Sequence, residues 1–88
     1  MLQSQTSNSN IVKFLKIDLD VALTFAQIAL RSHSDQQKRA RNQANARKAH
    51  DSVARWKNKL EVSQPDASEI DAKFQELRSA LEKLGERL

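Results

Sequence analysis

One glycine and one proline in 88 residues constrain this chain more than any other feature. A multi-stranded sheet needs tight turns, and those turns draw on Gly, Pro, Asn and Asp at fixed positions. Val, Ile, Phe and Trp are also sparse beside Ala, Leu, Gln, Lys and Arg, the reverse of what strands favour. The expected fold class is therefore all-α. At this length one domain fits, and a core of this size rarely supplies more than about 3–5 kcal/mol. With no cysteine, disulfides and Cys-based metal sites are excluded, so stability must come from helix packing or from association with other chains.

Residues 1–10 carry no positive charge and only Met1 and Leu2 as apolar side chains, which lacks the parts of a secretory signal. Rich in Ser, Asn and Gln, the opening segment reads as a disordered tail over residues 1–8, followed by a single helical domain over 9–88. Asn8, Ser9 or Asn10 is expected to cap the first helix. The most apolar stretch, Ile11 to Leu30, is broken by Lys13, Lys16, Asp18 and Asp20, each expensive in hydrocarbon, so no membrane span is expected. A cytoplasmic location is the default.

Helical periodicity then divides the domain into three helices, at about 10–32, 35–61 and 66–86, forming an antiparallel three-helix bundle about 30–40 Å long. In helix 1 the apolar positions run from Ile17 and Ile28 through Val21, Phe14, Phe25, Ala22, Ala26 and Leu19 to Val12, Leu30 and Leu23. At about 100° per residue they cover about two-thirds of the circumference. An amphipathic helix normally shows a stripe of about 100° or somewhat more, so helix 1 should be the central or the self-associating helix. Ser34 and Gln37 stand at the spacing of a capping box for helix 2. The stripe of helix 2 is narrow and starts late, at Ala46, Ala49, Val53, Trp56 and Leu60, which leaves its first two turns beyond the core or against polar partners. Pro65 ends helix 2 and suits the first turn of helix 3, with Asp66 or Ser68 as alternative caps. Helix 3 carries a seam of the coiled-coil type, Ile70, Phe74, Leu77, Leu81, Leu84 and Leu88, and Gly85 marks its end.

An Ala-rich first hairpin (Ala22, Ala26, Ala29, Ala46 and Ala49) and a third helix reading Ile70-Asp71-Ala72-Lys73-Phe74 through Leu77, Leu81 and Leu84 resemble small three-helix bundles. The likeness, over about residues 15–88, is to those of the microtubule-interacting-and-trafficking type and their tetratricopeptide-like relatives. It is one of architecture and implies a peptide-binding module. Lys38-Arg39-Ala40-Arg41-Asn42 resembles the start of a leucine-zipper basic region, but the following positions hold Asn45, Ala46, Ala49 and His50, of which only Ala46 fits. Pro65 also precludes a zipper on the same helix.

Charge is distributed unevenly. Residues 38–59 hold eight Lys or Arg against one acid, Asp51, a local +7 within an overall +4. Arg41, Lys48, Arg55 and Lys59 form a stripe on one face of helix 2 that could follow a phosphate backbone. Helix 3 has six acids and four bases after residue 65, so part of that charge should be answered inside the bundle. Asp18 stands within the apolar arc of helix 1 and is expected to pair with Arg47 or His50, or with the amides of Asn42 and Asn45, because an unpaired buried carboxylate is costly.

His33 and His50 have no His or Cys at helical spacing to make a metal site. His33 reads as an exposed loop residue and His50 as a polar group at the bundle flank. No hydroxyl sits on a strained turn beside a base, and with Gly85 alone there is no phosphate loop. The sequence thus points to a non-enzymatic interaction module with no catalytic residue, metal, cofactor or small-molecule substrate. Its expected partner is itself or another helical protein, through Val12, Ile17, Leu23, Ile28 and Leu30. The alternative is nucleic-acid binding through the basic stripe.

Overall fold

The computed structural model describes the backbone of residues 2–59 and 62–88, with side chains described from Asn10 onward over the same ranges. Three helices, α1 (Leu2–Arg31), α2 (Gln36–Lys57) and α3 (Gln64–Lys83), pack on one another with no strand among the described residues. The fold is the expected all-α three-helix bundle. Ion pairs give the topology: Lys16 meets Asp66 and Lys73 meets Asp20, so α1 and α3 run parallel. Lys57 meets Asp71 while Arg47 meets Glu86, so α2 runs against α3.

α1 is the central helix and packs more extensively on α2 and on α3 than those two pack on each other. Its inner strip, Leu19, Ala22, Ala26 and Ala29, is fully buried, against Ala46 and Val53 of α2 and the α3 seam of Ile70, Phe74, Leu77, Leu81 and Leu84. The small alanines let the helix axes approach closely, since the distance between packed helices is set by the side chains at the contact. The bundle is 51 Å long, beyond the expected length, because α1 has 30 residues rather than the expected 23 or so at 1.5 Å each.

Several boundaries differ from the expected ones. α1 is helical back to Leu2, so Asn8, Ser9 and Asn10 lie inside it rather than capping it; continued helical bonding supplies the partners their caps would have given. Residues 2–8, expected as a disordered tail, are the first part of α1, and Met1 lies outside the described residues. α2 is capped by Asp35, whose carboxylate accepts from the Lys38 amide at 3.0 Å, not by Ser34. A carboxylate there also faces the positive end of the helix. α2 stops at Lys57, not Glu61, and Leu60 and Glu61 lie outside the described residues. α3 starts earlier than expected, with Ser63 as the cap in place of Asp66 or Ser68 and Pro65 in its first turn. It ends three residues early at Lys83: Gly85, at φ +96, donates to the Glu82 carbonyl and Glu86 to that of Leu81. This closing pattern needs a left-handed residue and so favours glycine.

The two ends of α2 behave differently. Its first turn is largely exposed and projects beyond the core, while Asn42, buried, satisfies its own amide on the Lys38 carbonyl at 2.8 Å. Among the described residues no helix is long and apolar enough to cross a membrane.

Because Leu77 is fully buried, Leu77→Ala should lower unfolding free energy by about 2–5 kcal/mol, whereas Ile17→Ala, at an exposed position, should change it by less than about 0.5 kcal/mol. Urea denaturation followed by far-UV circular dichroism separates the two.

Candidate interaction face

Phe14, Ile17 and Val21 recur at spacings of three and four on α1 and so share one side of the helix. They are 68%, 60% and 46% exposed. Phe25 and Ile28 continue the line half-buried. Trp56 of α2, read from the sequence as a seam residue, is 48% exposed. It stands beside this line because α2 turns its narrow core stripe of Asn42, Ala46 and Val53 inward.

Between the line and α2 runs a groove in two segments. One, of about 380 Å³, is lined by Asn10, Ile11, Phe14, Leu15, Asp18, Ser52 and Trp56. The other, of about 320 Å³, is lined by Asp18, Val21, Ala22, Phe25, Asn45, Lys48, Ala49 and Ser52. Asp18 and Ser52 belong to both, so the segments join end to end. The groove has a mainly apolar α1 wall and a mainly polar α2 wall.

The five residues expected to form a self-association face do not lie together. Val12 is buried in the core at 8%. Leu23 and Leu30 pack partly buried against the core and line a separate α1–α3 groove with Ala72 and Gln75. Only Ile17 and Ile28 remain on the outer line. The helical period explains the split, since the core direction of α1 falls between the two groups. Phe14, Val21 and Phe25 were the missing members; on the helical projection they lie between Ile17 and the buried strip.

Asp18 does not pair with Arg47 or His50. It is half-buried on the groove floor, with no hydrogen bond or ion pair to a described residue, and Asn45 lines the groove beside it without bonding it. Arg47 and His50 face α3 instead. Arg47 bridges Asp51 at 3.0 Å and Glu86 at 2.6 Å, and the His50 ring stacks on Phe74 at 4.7 Å between centroids while its Nδ1 lies 2.9 Å from Asp51. His33 is exposed in the α1–α2 connection.

Electrostatics divides the surface. Lys16 pairs with Asp66 and Glu69, Arg47 with Asp51 and Glu86, Lys57 with Asp71, and Lys73 with Asp20 and Glu69. By contrast Arg41, Lys48, Arg55 and Lys59 are exposed and make no ion pair with a described residue. Lys59 instead lies 5.9 Å from the Trp56 ring centroid, within cation–π range. Arg41, Lys48 and Arg55 form a row along α2 on the side that borders the groove, where Lys48 lines it directly, and Lys59 follows just past the end of the helix.

The internal pairs perturb their carboxylates. Hydrogen bonds from Gln43 and Arg47 hold Glu86 below its ordinary value, those from His50 and Arg47 do the same for Asp51, and Lys16 and Ser63 lower Asp66. Comparisons of the chain with protein-family models, with curated proteins and with solved structures find no match.

A carboxylate with a depressed folded-state pKa contributes stability above its unfolded value and loses it as pH falls through the folded value. Stability should therefore decline on acidification below about pH 4.5, and Glu86→Gln should lower it at neutral pH while shrinking that decline; urea midpoints at several pH values test this. Asp18 has no partner among the described residues, so Asp18→Leu should leave the melting temperature unchanged or raise it.

Proposed function

We propose that this chain is a non-enzymatic, cytoplasmic protein-interaction module that binds helical partners, itself included, across the outer side of α1. The observation that carries this reading is the exposure of Phe14, Ile17, Val21 and Trp56 along a continuous groove. Grouped apolar side chains of this size, rimmed by polar ones, mark surfaces that other chains cover. The architectural resemblance to peptide-binding three-helix bundles points the same way.

Self-association through this side sets two terms against each other. The apolar line favours it, and the basic rows of two copies, each chain bearing +4 overall, oppose it. Salt screens exposed charges over a Debye length of about 10 Å at 0.1 M, so association should strengthen with salt. A second reading, binding of a nucleic-acid backbone, is favoured by Arg41, Lys48, Arg55 and Lys59, which make no ion pair with a described residue, and predicts the opposite salt response.

Sedimentation equilibrium over a wide concentration range is the test. The average mass should rise with concentration, rise further at high salt, and fall to that of the monomer in Ile17→Asp; a strict monomer at high concentration and high salt contradicts self-association.

A further inference from the structure

We propose that the α1–α2 groove takes an amphipathic helix of another protein whose apolar face carries acidic residues along one flank, the flank that lies against α2. This rests on the interaction reading above and adds the chemistry of the partner.

The two walls of the groove ask for different things. On α1, Phe14, Val21 and Phe25 line the groove and Ile17 stands exposed beside them, apolar knobs at spacings of three and four, the pattern that interdigitates with another helix. From Asn10 to Phe25 the groove spans about 22 Å at 1.5 Å per residue, room for about 15 residues of a docked helix. On the α2 side the rim is Arg41, Lys48, Arg55 and Lys59, exposed and without acidic partners among the described residues. From Arg41 to Arg55 the row runs 14 positions along α2 at spacings of seven, about 21 Å at 1.5 Å per residue and so comparable with the groove, and Lys59 follows past the end of the helix.

Among the described acids Asp18, Glu76 and Glu82 have no ionic partner, and Asp18 lines the groove together with Lys48; the others are engaged elsewhere. Asp20, Asp51, Asp66, Glu69, Asp71 and Glu86 pair with Lys16, Arg47, Lys57 and Lys73, and Asp35 caps α2. Beyond the apolar line, away from α2, Asp20 is already bridged to Lys73 at 2.6 Å. Among the described residues α1 holds two exposed bases without an ion pair on that side, Lys13 and Arg31, 18 positions apart, so the denser positive charge lies on the α2 flank.

Other occupants fit less well. A second copy brings the same basic row, without acidic partners among the described residues, and the same positive charge, so it matches the apolar line but not the rim. A phosphate backbone matches the rim but gains nothing from Phe14, Ile17 and Val21. An acidic amphipathic helix satisfies both walls. Electrostatic complementarity of this kind acts mainly on partner choice and encounter rate, so its signature is discrimination between charge variants.

The experiment is selection of a displayed library of 18-residue peptides on the full-length chain, followed by anisotropy titration of the enriched peptide. Enriched peptides should show apolar residues at spacings of three and four with Asp or Glu on one flank. Binding should weaken with salt. Lys48→Glu combined with Arg55→Glu should reduce affinity by about tenfold or more, and exchanging the peptide's acids for Lys should recover binding to that double variant. The substituted residues are exposed, so an unchanged melting curve confirms that the variants fold. Failure of enrichment, enriched peptides without excess acid, or indifference to the charge reversal overturns the proposal. If such peptides still require Ile17, the interaction reading stands while the acidic partner falls; if Ile17→Asp leaves both peptide binding and self-association intact, that reading falls too. Tighter binding of a 20-base-pair DNA duplex that depends on the row but not on Ile17 assigns the row to phosphates.

Discussion

The strip Leu19, Ala22, Ala26 and Ala29, fully buried, is where α2 and α3 both close on α1, and the rest of the bundle depends on it. Three of the four are alanine, so the axes approach closely, and one turn of α1 touches both neighbours at once. Two neighbours that close in this way cover the inner side of a helix and no more. Because α1 is apolar around most of its circumference, its outer line of Phe14, Ile17 and Val21 has nothing within the described chain to cover it. The burial that makes the bundle stable is thus also what strands the apolar surplus at one edge.

Charge follows the same geometry. α3 and the residues just after it carry six of the eleven acids and pack against both other helices, so bases at its seams acquire partners: Lys16 and α3's own Lys73 at the α1–α3 seam, Arg47 and Lys57 at the α2–α3 seam. Bases on the side of α2 turned away from α3 have no such supply. The positive charge that remains after internal pairing is therefore concentrated beside the exposed apolar line rather than spread over the surface, and the two features share one groove by topology.

Much of the fold was legible in the sequence. The low Gly and Pro content, the apolar period and the seam from Ile70 to Leu84 indicate three helices with α1 at the centre, and Gly85 and Pro65 take the places their backbone limits demand. The caps were less legible, because Ser34 and Asp35, or Ser63 and Asp66, are equally suited in local chemistry, and hydrogen-bond geometry selects Asp35 and Ser63. The candidate site was legible only in outline. Its basic row was readable from spacing on α2 alone, but the apolar residues were misassigned: Val12, Leu23 and Leu30 share the period of Ile17 and Ile28 and turn toward the core or α3.

Asp18 shows where the limit falls. Helical projection correctly places it within the apolar arc of α1, but the side that α2 turns toward it depends on how the second helix rotates as it packs. That rotation brings Ser52, Asn45 and Lys48 to the groove and sends Arg47 and His50 toward α3. Sequence alone determined that there are three helices, how wide the apolar arc of α1 is and where positive charge concentrates, because these are local, periodic properties. Only the tertiary structure decided which part of that arc is buried, which bases are neutralised and that the remainder of each lies along one groove, because those outcomes depend on the relative rotation of helices far apart in the chain.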